Sequence, residues 1–134
     1  MKNKSRVSAA VVLSLLLGGA AAGDIKVHLS GDSEVPPVKT AATGDGVISV
    51  GDDGAVSGSV TTHGIDGTMG HIHLAAPGQN GPVIVKLVKD GDKYSVPAGA
   101  KLDADQLKAF HRGELYINVH SEAHKSGEIR GALK

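Results

Sequence analysis

The chain has 134 residues, a formal net charge of zero at pH 7 with histidine neutral, and no cysteine. The lack of cysteine excludes disulfides, thiolate metal sites and cysteine nucleophiles, and the balanced charge predicts no basic surface for nucleic acid. Since the chain has two Tyr, one Phe and no Trp, any site chemistry rests mainly on its seven histidines.

The first 22 residues have the pattern of a secretory signal peptide. Basic residues precede an apolar run over residues 7–17, and three small residues end at Ala22. The run is too short for a membrane-spanning helix, which needs about 20 residues, and the alanines fit a cleavage site. We expect cleavage after Ala22, one mature domain over residues 23–134 without an integral membrane segment, and a periplasmic or secreted location.

The rest of the chain predicts many short strands. Segments rich in β-branched residues lie between turn signals about every ten residues. Glycine favours a hairpin turn at Asp52-Asp53-Gly54, and the prolines keep residues 34–38 out of a central strand. We predict an all-β, Greek-key antiparallel β-sandwich with strands over residues 25–30, 46–50, 55–62, 69–75, 83–88, 114–120 and 128–133.

One short helix is predicted over residues 104–112. Asp103 is a suitable N-cap, and Gln106 stands at the capping-box position three residues later. Gly113 favours termination of the helix. We expect the helix to form a short lid on the sandwich, with Leu107 and Phe110 facing inward.

Histidines occur as two close pairs on predicted strands. Side chains alternate along a strand, so His71 and His73 share one face, and His120 and His124 lie at the end of a later strand. If the two strands are neighbours, three or four imidazoles converge. An all-nitrogen, cysteine-free set suits copper or zinc. The pattern predicts a metal site formed by His71, His73 and His120, with His124 as a fourth ligand.

Other side chains have smaller predicted roles. Glu122 or Glu128 is a candidate oxygen ligand or a partner that orients an imidazole. His28, His63 and His111 are predicted to be solitary surface or loop residues. An alternative hypothesis gives the paired histidines only structural hydrogen bonds on a half-buried face.

Six short segments resemble, in the same order, motifs of the CHRD domain family: residues 34–38 (EVPPV), 70–73 (GHIH), 80–83 (NGPV), 96–100 (VPAGA), 116–120 (YINVH) and 127–131 (GEIRG). The family takes its name from repeated domains in chordin, an extracellular antagonist of growth factors. The resemblance implies one sandwich-like, extracytoplasmic CHRD domain over residues 23–134. It supplies no reaction, because a fold hosts many functions.

A fainter resemblance connects the chain with the copper-zinc superoxide dismutases. An early His-x-His, a late Val-His and a Gly-x-x-Arg-Gly-like ending map to His71, His73, His120 and Arg130. The resemblance implies an immunoglobulin-like or superoxide-dismutase-like sandwich. The chain departs from that family because it lacks the disulfide cysteines and the zinc-binding loop.

Three functional hypotheses follow. The first is an extracytoplasmic binding protein that holds a copper or zinc ion. The second is an interaction module that docks an extracellular or envelope protein without a metal. The third is a dismutase-like copper enzyme, which would need Arg130 directed toward an incoming anion.

Overall fold

The computed structural model describes residues 23–134. The predicted signal peptide, residues 1–22, lies outside the described residues. Within residues 23–134, no helix has the length and apolar character needed to cross a membrane.

The described chain folds into one nine-stranded sheet with a short helix, which confirms the predicted all-β class. The strands are β1 (Asp24–Ser30), β2 (Thr43–Val50), β3 (Val56–His63), β4 (Gly67–Leu74), β5 (Val83–Lys86), β6 (Val88–Asp90), β7 (Lys93–Ser95), β8 (Leu115–Ser121) and β9 (Ile129–Ala132). The helix is α1 (Ala104–His111), and a 3₁₀ turn covers Gly31–Ser33.

The strand order is β5-β4-β8-β9-β1-β2-β3-β7-β6, and every pairing is antiparallel. The sheet curls until it nearly closes. At the closure, the N–H of Leu87, which lies between β5 and β6, donates to the carbonyl oxygen of Gly70 on β4 at 3.0 Å. The chain leaves β3 for β4 and returns through β7 to pair with β3, as in a Greek key. In this strand order, β4 and β8 are direct neighbours.

The core fills the inside of this curled sheet. Alternate residues of each strand point inward, so β-branched and leucine side chains meet across it. Ile48, Val60, Ile72, Ile117 and Val119 have no solvent exposure. On each of these strands, the side chains between the buried ones therefore point outward.

Most predicted elements are present, with ends shifted by a few residues. The turn Asp52-Asp53-Gly54 joins β2 to β3, and Gly54 has a φ of +88°. Asp103 caps α1, and a complete capping box links it to Gln106. Phe110 is buried. Residues 34–38 lie outside the strands, as the prolines predict.

Two predictions about strands were wrong. The predicted strand over residues 83–88 is two strands, β5 and β6, because the chain changes partner near Leu87 from β4 to β7. The strand β7 was not predicted at all. Only Tyr94 of its three residues is buried, so alternation over so short a segment gives little signal.

Candidate metal centre

The outward side of β4 and β8 carries the paired histidines. Ile72 on β4 and Ile117 on β8 point into the core, so His71, His73 and His120 point to the other side. The two strands pair directly, with His71 opposite Asn118 and His73 opposite Tyr116. The structure therefore confirms that the two strands that carry the histidines are neighbours, as the metal hypothesis required.

Three imidazoles meet on this face. One possible ligand atom from each of His71, His73 and His120 lies within 4.8 Å of the other two. Nδ1 of His71 and Nε2 of His120 are 3.1 Å apart. An ion about 2.0–2.1 Å from both nitrogens would subtend an N–metal–N angle of about 100°, which is close to tetrahedral. The two nitrogens form a hydrogen bond in the structure, and the same spacing is compatible with two ligands that share one ion.

The backbone fixes the orientation of His120. Its Nδ1 lies 2.8 Å from the carbonyl oxygen of Lys125. A carbonyl oxygen can only accept, so Nδ1 carries the proton and donates. In the neutral ring the lone pair is then on Nε2, the nitrogen that faces His71. A backbone carbonyl thus presents the ligand nitrogen of His120 to the cluster, as partners of metal-bound histidines commonly do.

His73 is held in a similar way but is more constrained. Its Nδ1 lies 2.9 Å from the carbonyl oxygen of Gly81, and its Nε2 lies 2.8 Å from Oδ1 of Asn118. A neutral imidazole has one N–H and cannot donate to both oxygens. The contact with Asn118 is the one that His73 has to leave to join an ion.

Burial favours the neutral form of the imidazoles of His71 and His73. Burial lowers the pKa of His71 to about 4, with further lowering from His120, His73 and Lys86. Burial also lowers the pKa of His73, against the opposing effect of its two hydrogen-bond partners. Metal binding requires unprotonated nitrogen, so the lowered pKa values reduce the competition from protons at these two rings.

The structure does not bring His124 to the three imidazoles. Its backbone N–H donates to the hydroxyl of Ser121, in the turn that follows β8. Glu128 and Glu122 are also outside the group. Glu128 accepts hydrogen bonds from Thr40 and Ser121, and Glu122 lies 3.8 Å from the ammonium of Lys125. His28, His63 and His111 are exposed, as predicted.

A buried ion pair lies beside the cluster. Nε of Arg130 donates to Oε1 of Glu34 at 2.9 Å, and both side chains are less than a tenth exposed. Nδ2 of Asn118 lies 3.5 Å from the other carboxylate oxygen of Glu34. Asn118 therefore connects the ion pair to His73.

Tyr116 also connects His73 to the ion pair, because its ring stacks against both His73 and Arg130. Its ring is stacked on His73 with centroids 4.7 Å apart, and the guanidinium carbon of Arg130 lies 3.8 Å from the ring centroid. Because β8 lies between β4 and β9, the tyrosine lies between the histidine and the arginine. Such stacking adds cation–π attraction and restrains the His73 ring.

Arg130 has several partners in this network. Besides Glu34, it donates to the carbonyl oxygen of Gln79 and to the side chain of Asn80. A dismutase-like enzyme would need this guanidinium to meet an anion. Here it is buried and holds two loops against the sheet, so the arrangement disfavours that hypothesis.

Sequence reasoning did not assign roles to Glu34, Tyr116 or Asn118. Glu34 precedes the prolines in a segment without strand periodicity, so no local pattern pointed to a buried carboxylate. Tyr116 and Asn118 alternate with core residues on β8 and share a face with His120. That shared face was the one signal that placed them near the site.

The comparisons with known proteins add a family. A model of the CHRD domain matches residues 25–133, which is nearly the whole of the described chain. No match was found among curated proteins or among solved structures.

Proposed function

The chain belongs to the CHRD domain family, and from this premise we propose that it is a small extracytoplasmic binding protein for a copper or zinc ion. His71, His73 and His120 are the proposed ligands. The observation that carries the proposal is the 3.1 Å approach of Nδ1 of His71 to Nε2 of His120, with the third imidazole nearby.

The charge state of the rings is compatible with metal binding. Three imidazoles with one ring nitrogen each within 4.8 Å of the others would repel one another if protonated, and the pKa of His71 is lowered to about 4. Neutral imidazole nitrogens with no hard oxygen ligand in the group favour Cu(II) or Zn(II) over Ca²⁺ or Mg²⁺. The backbone carbonyls of Gly81 and Lys125 pre-orient two of the rings.

Calorimetry of the metal-stripped protein with Cu(II) and Zn(II) tests the proposal. We expect one equivalent to bind, and at a free metal concentration of 100 times Kd the protein should gain about 2.7 kcal/mol of stability. The double variant H71A/H73A should lose both the binding and the rise in Tm.

The matched control is H28A/H111A, which removes two exposed histidines from other parts of the fold. It should bind metal like the wild type. Stoichiometric binding that survives in H71A/H73A, or no stoichiometric binding by the wild type, would overturn the proposed function.

The extracytoplasmic location is part of the proposal and is supported by the sequence pattern of residues 1–22. In a bacterial host, we expect the protein outside the cytoplasm with a mass that corresponds to cleavage after Ala22. Recovery of the uncleaved chain from the cytoplasm would contradict it. This measurement is independent of metal binding.

A second candidate is an interaction module of the envelope or extracellular space. It is favoured by the strands at the ends of the sheet order, where Val83 on β5 and Val88 on β6 are 41% and 54% exposed. Exposed apolar side chains of this kind can contribute to contact with a partner protein. Under this candidate, H71A/H73A would leave docking unchanged.

A further inference from the structure

Met69 lies on the same face as the histidines. On β4, Gly70 and Ile72 point inward, since Ile72 is fully buried and a Cβ on Gly70 would meet Tyr94 and Leu87. Alternation therefore places Met69 on the outward side, one position before His71 on that face. Along this side of the strand the order is methionine, histidine, histidine.

The register brings Met69 next to the third ligand as well. In the pairing of β4 with β8, Met69 is directly opposite His120. Directly opposed side chains have Cβ atoms about 4.5–5.5 Å apart, and neighbours on the same face of one strand are about 7 Å apart. Methionine has three rotatable side-chain bonds, so its sulfur can reach an ion held between His71 and His120.

Packing does not account for this methionine. Met69 is 50% exposed, among the most exposed large apolar side chains of residues 23–134. Its thioether is thus free to turn toward the cluster. His71 is the most exposed of the three imidazoles, so the site is open to solvent at His71. Met69 is the neighbour of His71 on this face of β4 and therefore lies at the open side.

The cluster also lacks a fourth imidazole. His71 and His120 supply two preset nitrogens, and His73 supplies a third once it leaves Asn118. His124, the predicted fourth ligand, is not in the group. A tetrahedral ion would therefore have one position left for another donor.

We infer that the Met69 thioether is a ligand of the ion bound by His71, His73 and His120, and that it makes the site selective for Cu(I). Thioether sulfur is a soft donor that favours Cu(I), whereas Zn(II) gains less from it. This inference rests on the proposed function, because it needs the imidazoles to hold an ion. It adds a residue and a metal oxidation state that the histidine pattern alone does not specify.

The composition makes the inference directly testable. The chain has no cysteine and two methionines, Met1 and Met69, so sulfur bound to copper can come from only two residues. X-ray absorption of the Cu(I) protein should show one sulfur at roughly 2.3 Å beside nitrogen ligands. The variant M69L should lose the sulfur and keep the nitrogens.

Affinity gives a second readout. In anaerobic competition with a chromophoric Cu(I) chelator, M69L should bind Cu(I) about tenfold more weakly than wild type. Its Zn(II) affinity should remain within about twofold. Leucine has a similar volume at an exposed position, so the fold should be unchanged, and circular dichroism checks this.

The outcomes separate the two proposals. Copper bound by nitrogen alone in the wild type, or equal Cu(I) affinity of M69L and wild type, overturns the role of Met69 and leaves the histidine site intact. A sulfur that remains in M69L also overturns it. Binding that H71A/H73A does not weaken overturns the proposed function itself.

Discussion

Two outward faces of the same sheet carry histidines, and the two faces differ in solvent exposure and in the partners of their polar side chains. On the bare face, the outward side of β1 and β2, His28 is paired with Asp45 at 2.7 Å, and both side chains are about 60% exposed. On the covered face, the outward side of β4, β8 and β9, His73 and His120 are buried. Alternation along the strands makes both faces polar, but loops bury the polar side chains of the covered face alone.

The covering loops supply specific partners. The segment before β5 contributes Gly81, Gln79 and Asn80, and the turn after β8 contributes Lys125. Glu34 comes from the segment between β1 and β2. Polar groups on the covered face are thus desolvated and paired, whereas those on the bare face remain in water. The same interaction should therefore matter much more on the covered face.

The largest difference is expected for arginine. R130M removes the partner of the buried carboxylate of Glu34 and should lower the free energy of unfolding by about 3–5 kcal/mol. Arg112 forms an exposed pair with Glu114 at 3.0 Å, so R112M should cost about 0–1 kcal/mol. Urea denaturation of both variants checks this. Equal losses would mean that the loops do not exclude water from the covered face.

Two serines whose hydroxyls each donate to a carboxylate allow a comparison between groups of the same chemistry. At the buried end of β8, the Ser121 hydroxyl donates to Glu128 at 2.7 Å, and S121A leaves a buried carboxylate oxygen without that donor, which should cost about 1–3 kcal/mol. On the bare face, the Ser49 hydroxyl donates to Asp24, and S49A should change stability by no more than about 0.5 kcal/mol. Thermal unfolding measures both. A cost for S49A as large as that for S121A would contradict the comparison.

The smallest expected effect is a pH dependence. The pKa of His71 is about 4 in the folded protein and 6.5 when unperturbed, so the unfolded chain binds more protons between these values. Metal-free protein should lose stability as pH falls from about 6.5 to 4, and the contribution is complete above 6.5. H71N should flatten this loss, and water at the partly exposed ring keeps it modest.

The control for the pH dependence is H28N, on the bare face. It removes an exposed histidine and should leave the slope between pH 4 and 6.5 nearly unchanged. Denaturant titrations at several pH values compare the two variants. A wild-type slope that H71N leaves unaltered would show that the buried cluster does not titrate as described.

Local patterns predicted the elements that depend on local energetics. The capping box of Asp103 and Gln106 and the turn at Gly54 form from neighbouring groups, and both are present. Alternation in β4 and β8 was strong enough to assign the outward side of His71, His73 and His120. It failed for β7, whose three residues are too few for a period to emerge.

The sequence by itself determined the all-β class, the helix, and the faces of the strands on which the histidines lie, because these depend on spacing of two residues and on local hydrogen bonds. Only the tertiary structure decided that β4 and β8 are neighbours, that Glu34 reaches Arg130 across 96 positions, and that Met69 stands opposite His120. These contacts join segments far apart in the chain. Their free energy comes from burial and pairing that exist only once the sheet has closed.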